Sequence, residues 1–428
     1  MDYRCQIRPT QPCDWSLTVT TNFPTDFLWS VATAGHQNEG NNSNSDTWFL
    51  ENVKPTVFKE PSGLADNGYE LWSTDLDLVA DMGLNAYRFS VEWARIEPEE
   101  GQFSEDALDH YEAIIDGCIE RGLAPVVTFN HFTAPHWFAK QGAWLDEKSA
   151  EQFATFCDVV MQRFGDRIAF ALTLNEPNLP RLLSWVLPEF FTELTRETLR
   201  AASEAAGVER YRAGNVVQPE DFDAMEEGLT RGHRAARAAI KRRRPELPVG
   251  FSIAIVDDVA DGDTTIRDRK RAEVYGHWLE VAREDDFVGV QNYERIHYGA
   301  DGPLPDPEGA PKNEMGSAVD PASLGGAVRY AWEVAQVPVF VTEHGIGTAD
   351  DSLRVAFLEP SLDGLKAAMD DGVPVIGYTH WTLMDNFEWV GGYDSHLGLH
   401  SVDRTSFERT PKQSAKEYAR LVAANRLT

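Results

Sequence analysis

Two glutamates stand where two short apolar strands should end. Val339 to Val341 is apolar and β-branched, follows Pro338, and leads to Glu343 at its mouth. Gly345 and Gly347 then allow a sharp turn out of the strand. The second is Glu176, in Phe170-Ala-Leu-Thr-Leu-Asn-Glu-Pro177. A carboxylate at such a place is costly to bury without a partner. Taken alone, each is most simply a structural acid satisfied by an arginine or by backbone amides. Taken together, they could face each other across one cleft. Two carboxyl groups flanking one bond are what glycoside hydrolysis requires: one protonates the leaving oxygen, the other attacks or activates water. Aromatic residues near strand ends (Trp137, Trp144, Trp381, Trp389, Phe387) suit the C–H faces of sugar rings. Each of them singly reads as ordinary core, and only their concentration there favours the cleft.

The elements that must position these groups alternate along the chain. Strands are predicted over 27–34, 84–90, 124–129, 168–174, 249–256, 287–290, 339–341 and 374–381. Helical patterns fall over 72–82, 105–121, 147–164, 222–240, 269–283, 322–335 and 352–371. Eight strands alternating with helices imply parallel pairing through helical crossovers. The expected fold is α/β, a single (β/α)8 barrel over 1–428 with an irregular N-terminal arm over 1–22. An extended insertion, 178–220, interrupts the rhythm after strand 4. In such a barrel the chemistry sits at the C-terminal strand ends. The polar residues expected there are Gln37, Arg88, Asn130, His131, Asn175, Glu176, Tyr293, Glu343 and those between Trp381 and Trp389.

Composition narrows the function classes. The 428 residues carry 69 acidic against 39 basic side chains, a formal net charge of −30. That balance disfavours nucleic acid as a partner. Cys5, Cys13, Cys118 and Cys157 are scattered with no C-x-x-C pair, and the last two fall in helical patterns. They read as buried thiols rather than a disulfide framework. The N-terminus has no apolar stretch of signal-peptide length and no span of membrane length occurs, so a cytoplasmic protein is expected. No H-x-H or H-E-x-x-H motif accompanies His131 and His136, so neither metal nor cofactor is expected. His136 reads as a loop residue. Lys241-Arg-Arg-Arg244 reads as a solvated helix end.

Five motifs in order now carry a resemblance. They are Phe27-Leu-Trp-Ser-Val-Ala-Thr-Ala34 with Gln37 and Glu39-Gly40, and Tyr87-Arg-Phe-Ser-Val-Glu-Trp-Ala-Arg95. Then come Thr173-Leu-Asn-Glu-Pro177, Val341-Thr-Glu-His-Gly345 and Trp381-Thr-Leu-Met-Asp-Asn-Phe-Glu-Trp389. From about Phe27 to the C-terminal helix the chain resembles the family 1 glycoside hydrolases, the retaining β-glucosidase and β-galactosidase group. The resemblance implies Glu343 as nucleophile and Glu176 as acid/base. It implies Asn175 on the sugar 2-hydroxyl, and Arg88 and Tyr293 beside the nucleophile, keeping it ionised. It implies Gln37, His131, Glu388 and Trp389 on the remaining hydroxyls, and Trp381 under the ring. The substrate implied is a small β-glycoside or oligosaccharide, cut exo-fashion at its non-reducing end.

Four positions depart from the family's commonest pattern. Gln291 stands where asparagine is usual, Phe132 where tryptophan is common, His344 where asparagine follows the nucleophile, and Leu397 where an aromatic is frequent. Tyr293 is aligned with the family tyrosine; a one-residue slip would put Glu294 there. Two other functions stay open. One is a 6-phospho-β-glycosidase, disfavoured because the Glu388 carboxylate would meet the phosphate as like charge. The other is a catalytically dead sugar-binding barrel, disfavoured by the presence of both carboxylates. The segment 178–220 reads either as two small helices packed on the barrel rim or as an apolar wall for the leaving group.

Overall fold

The computed structural model describes residues 23–426. The expected N-terminal arm, with Cys5 and Cys13, lies outside those residues. Eight parallel strands close into a barrel. They are β1 (Leu28–Ala32), β2 (Ala86–Ser90), β3 (Ala124–Thr128), β4 (Phe170–Asn175), β5 (Val249–Ala254), β6 (Val288–Asn292), β7 (Val339–His344) and β8 (Val375–Trp381). Each pairs with its sequence neighbours, and β1 closes on β8, with Leu28 opposite Gly377 and Ala32 opposite Trp381. Helices cross from one strand to the next, as the hydrophobic periodicity predicts. One of them, Glu105–Glu120, begins where the Ser104 side chain accepts the Ala107 N–H at 3.2 Å, with Glu105 and Asp106 in the first turn.

The barrel interior is divided along its axis. Its lower half is plugged by Ala86, Val126, Leu172, Phe287 and Phe340, with Leu28, Phe170 and Ile376 packed on them. The Phe170 ring meets those of Phe287 and Phe340 at 5.8 and 5.6 Å between centroids. A wider apolar layer lies between barrel and helices. Burial on this scale, at about 25 cal/mol per Å2 of apolar surface, is the main source of stability. Arg88, Asn175, Glu176 and Glu343 lie above the plug, at the C-terminal strand ends.

Strict alternation of side chains would not deliver the two glutamates there. Phe340 fills the barrel interior and Val341 faces the helices, so an unbroken period of two would turn Glu343 outward. The pairing of β7 with β6 shifts register between Val341 and Glu343. The pairing of β4 with β5 shifts likewise between Leu172 and Asn175. Such irregularities re-aim the residue that follows them. His344, turned away from the cleft, stacks on Phe357 in the helix Asp351–Asp370.

Several expected boundaries and environments are corrected. The helix read over 269–283 starts earlier, as Thr265–Arg271, and contains a π-turn at Ala272–Gly276 before His277–Val281. The insertion, by contrast, forms two helices, Leu179–Val186 and Glu189–Ala206, as one of its two readings expects. His136 opens a short helix, His136–Lys140, rather than lying in a loop. Trp144 is wholly buried among Trp93, Phe138 and Phe153, and Phe387 is wholly buried too; both are core. Trp137 packs on Trp93 and donates to the Glu97 carbonyl at 2.9 Å. Cys118 and Cys157 are buried free thiols, as expected.

Candidate active site

Arg88, on β2, is the hub of the strand ends. Its guanidinium is buried and donates to Glu343 Oε1 at 2.6 Å, the Thr342 carbonyl at 2.9 Å, Asn175 Oδ1 at 2.6 Å and Thr128 Oγ1 at 3.2 Å. Tyr293 donates its hydroxyl to the other carboxyl oxygen, Glu343 Oε2, at 2.6 Å. Tyr293, not Glu294, is thus the residue beside Glu343. Both oxygens of one carboxyl are gripped by charge-assisted or short hydrogen bonds.

Glu176 is treated differently. Its backbone N–H bonds to the Ser252 carbonyl at 2.8 Å, and its φ of +43° is in the left-handed region. Non-glycine residues held there cluster at functional sites. Phe132 and Trp389, at the same end of the barrel, share that strained conformation with φ of +69° and +48°. Among the described residues, nothing hydrogen-bonds to the Glu176 carboxyl.

These surroundings set the proton positions. Burial pushes the Glu176 carboxyl well above the usual carboxylate range, Glu343 and Glu388 push the same way, and Arg88 opposes them. Burial also raises Glu343, while Arg88 and the Tyr293 hydrogen bond pull it back. Arg88 and Tyr293 favour the ionised form of Glu343, as expected, and do so against desolvation, the larger effect. Glu176, with no such partners, is the group that keeps its proton to higher pH. Tyr293 stays neutral, its hydroxyl lifted by burial and by Glu343, and so remains a donor.

The remaining expected residues line the same end of the barrel. Trp381 donates its indole N–H to Glu388 Oε1 at 3.2 Å. Gln37 donates to the Phe387 carbonyl at 2.9 Å, and its Oε1 is buried without a partner among the described residues. His131 stacks between the planes of Trp381 (5.7 Å, 18°) and Trp389 (6.1 Å, 10°). Burial, with Arg88, keeps its imidazole neutral. Leu397, at the place of the frequent aromatic, packs with Tyr293 against the cluster of Ala32, Ala34 and Trp381. Gly345 is required by closeness rather than by a positive φ: a Cβ there would lie 2.3 Å from the Trp381 carbonyl oxygen. Burial carries the Glu388 carboxyl up to about 8, helped by Glu343 and Asp385 and opposed by bonds from Trp381 and Gln37.

Sequence reasoning missed two features. His36 lies beneath Trp389, ring on ring at 5.6 Å and 7°, and its Nε2 meets the fully buried Glu51 carboxyl at 2.8 Å. The signal was available: His36 and Gln37 are adjacent in a short buried helix, Gly35–Asn38. The other is Ser252, on β5, whose hydroxyl donates to Asn175 Oδ1 at 3.1 Å. A serine inside an apolar strand carries no distinguishing mark. Among the described residues, no group of three His, Cys, Asp or Glu side chains is arranged to hold a metal ion. No helix there is long and apolar enough to cross a membrane.

The sequence matches the family model for Glycosyl hydrolase family 1 over residues 19–207 and 280–427. The chain belongs to glycosyl hydrolase family 1. A solved beta-glycosidase, BGL167, is 46% identical, superposes with a TM-score of 0.88, and is covered over 98% of its chain and 95% of this one. Beta-glucosidase A of Thermotoga maritima is 28% identical over 95% of this chain and 98% of its own. A bifunctional beta-D-glucosidase/beta-D-fucosidase of Bifidobacterium breve is 29% identical over 95% and 99% respectively. The barrel is thus that of a β-glycosidase, and the chain is a glycosyl hydrolase.

Proposed function

We propose that this enzyme is a retaining, exo-acting β-glucosidase on neutral sugars, working by double displacement. The observation that carries the proposal is the unequal treatment of two neighbouring buried carboxyls. Glu343 is held at both oxygens by Arg88 and Tyr293, the environment of a nucleophile fixed in place. Glu176 has no such bonds and a strongly raised pKa, the environment of a general acid. Attack by Glu343 on the anomeric carbon, with proton donation from Glu176, expels the aglycone and leaves a glycosyl ester. Esterification removes the Glu343 charge, so Glu176 loses its proton more readily and serves as base for water. One pair of carboxyls runs both half-reactions. Gln37, His131, Glu388 and Trp389 hold the glycone hydroxyls over Trp381. The names of the Thermotoga and Bifidobacterium relatives support glucose and fucose as glycones.

A screen of nitrophenyl β-glycosides tests this directly. Glucosides should be turned over best, fucosides appreciably, and 6-phosphoglucosides poorly. A preference for the 6-phospho sugar would sink the reading. The reason for excluding phosphate differs from the one the sequence suggested. With its pKa near 8, Glu388 is largely neutral at pH 7 and does not itself repel a dianion. What disfavours phosphate is the company of carboxyls: among the described residues the one cation bonded to them, Arg88, is already committed to Glu343 and Asn175.

The state of Glu388 yields a pH prediction. In Glu388→Gln a neutral amide replaces a neutral acid, so the KM for a glucoside should rise little at pH 6. Above about pH 8 the native carboxyl ionises and offers charge-assisted bonds of roughly 1.5–3 kcal/mol each, which the amide cannot. The ratio of variant to native KM should therefore widen as pH rises through about 8. A ratio flat from pH 6 to 9 would remove Glu388 from sugar binding.

The insertion after β4 is read as bordering the aglycone, and its two prominent aromatics should differ. Trp185 carries the Arg269 guanidinium 4.9 Å above its ring and packs on the core, so its loss should lower Tm. Phe190 is 62% exposed and touches Phe191 at 4.6 Å between centroids. Phe190→Ala should raise KM for aryl glucosides several-fold, a contact of about 1 kcal/mol, with Tm and the gluco-to-galacto ratio unchanged. Unaltered aryl-glucoside KM in that variant would discard the apolar wall.

A further inference from the structure

Asn175 has an amide whose orientation is fixed from three sides. Its Oδ1 accepts from Arg88 Nη2 at 2.6 Å, from Gln291 Nε2 at 2.8 Å and from Ser252 Oγ at 3.1 Å. Arginine can only donate, so the oxygen must face Arg88. Gln291 also donates to Ser252 Oγ at 3.1 Å, which closes a triangle of Asn175, Ser252 and Gln291. The three residues lie on three adjacent strands, β4, β5 and β6. Gln291 reaches across β5 to do this, and its backbone is opposite Glu343 in the β6–β7 pairing. The triangle is closely packed: a Cβ on Gly289, one turn of the pleat earlier on β6, would lie 2.7 Å from Ser252 Cβ. Asn175 Nδ2 has no hydrogen-bond partner among the described residues, so it is the donor left for a ligand.

We propose that Gln291 and Ser252 are positioning residues that hold the Asn175 Nδ2–H toward the 2-hydroxyl of the glycone in the transition state. The inference rests on the reading of Asn175 as the 2-hydroxyl ligand. An Asn side chain has a broad, soft terminal torsion, and a single bond from Arg88 would leave its amide plane free to swing. Three donors converging on one oxygen remove that freedom. The Gln291 side chain is long enough to carry its amide from β6 over Ser252 to Asn175 on β4. The bond to the 2-hydroxyl strengthens in the transition state, so misdirecting it should lower kcat rather than raise KM.

The test compares 4-nitrophenyl β-glucoside with its 2-deoxy analogue on wild type, Asn175→Ala, Gln291→Leu and Gln291→Leu/Ser252→Ala, with Tm measured on each. Leucine nearly matches glutamine in size and leaves Asn175 Oδ1 with Arg88 and Ser252, and Ser252 Oγ keeps its bond to Asn175. Asn175→Ala should collapse the preference for the 2-hydroxyl by about 100-fold, Gln291→Leu by about 10-fold through kcat, and the double variant by more than Gln291→Leu. The Gln291→Leu variants should lose far less on the 2-deoxy sugar than on the glucoside, because the 2-deoxy sugar has no hydroxyl to misdirect. If Asn175→Ala collapses the preference and Gln291→Leu does not, the positioning role is overturned while the Asn175 reading stands. If Asn175→Ala leaves the preference intact, both fall. If Gln291→Leu slows both sugars equally and lowers Tm, Gln291 is packing and the inference is wrong.

Discussion

Glu343→Ala should lower kcat for a β-glucoside by about 10^4-fold or more, and azide should restore part of it. The side chain lost is the one gripped by Arg88 at 2.6 Å on one oxygen and Tyr293 at 2.6 Å on the other. Its removal leaves a space lined by a buried cation and a hydroxyl donor, which suits a small anion. Azide in that space attacks the anomeric carbon from the face Glu343 used, while Glu176 still protonates the leaving group. No second displacement follows, so the product is the α-glucosyl azide, inverted relative to substrate. Arg88 keeps Asn175 and the Thr342 carbonyl as partners, so the variant should fold, though it loses one side of a buried ion pair. Nuclear magnetic resonance of the azide adduct reads the configuration. Full activity in the variant, or no anion effect alongside intact folding, would take Glu343 out of the mechanism.

How much of this was legible beforehand follows from the kind of signal each part carries. The barrel announced itself by eight apolar runs alternating with helical periodicity, a pattern that parallel pairing demands. Strand ends were less certain. Glu343 belongs to β7 itself, because the register shift lets the strand continue to His344. Nothing in Val339-Phe-Val-Thr-Glu-His announces that shift: each residue is acceptable on either face. The aromatic clustering was the weaker guide. Trp381 and Trp389 meet the His131 ring at the C-terminal strand ends, whereas Trp144 and Phe387 are core. A tryptophan's sequence neighbours say only that a strand ends nearby, and a loop can fold its ring up into the cleft or down against the barrel wall.

Charges were harder still, because a pKa depends on burial and on neighbours distant in sequence. Glu388 reads as a carboxylate from its type alone, yet its company of Glu343 and Asp385 in a desolvated pocket leaves it near 8. The His36–Glu51 pair meets Trp389, from a distant part of the chain, only on folding, the His36 and Trp389 rings stacking at 5.6 Å. Arg88 is the contrary case. Its pairing with the strand-end glutamate was implied by the resemblance of Tyr87-Arg-Phe-Ser to the family motif, and the cost of burying an unpaired guanidinium agrees with it.

Glu176→Ala should reveal itself by which substrates it harms. Its carboxyl makes no hydrogen bond to any described residue, so removal leaves no partner stranded and folding should be intact. Expulsion of a poor leaving group such as methoxide needs a proton, and turnover of methyl or cellobiosyl substrates should fall by roughly 10^2–10^4-fold. A dinitrophenolate leaves without help, so its departure should be nearly unaffected and the glycosyl ester should accumulate as a burst, because water now lacks its base. Azide needs no base. It should speed turnover of the ester and give the β-glucosyl azide, of retained configuration, opposite to the product from Glu343→Ala. The pH profile supplies an independent reading. On the proposed mechanism the protonated form of Glu176 is the active one, so wild-type kcat/KM should be high below its raised pKa and fall as pH climbs through it. In the variant that basic limb should be absent, while the acid limb, set by the need for an ionised Glu343, should stay. A uniform loss across all leaving groups, with the basic limb unchanged, would make Glu176 a structural acid and return the proton to some other donor.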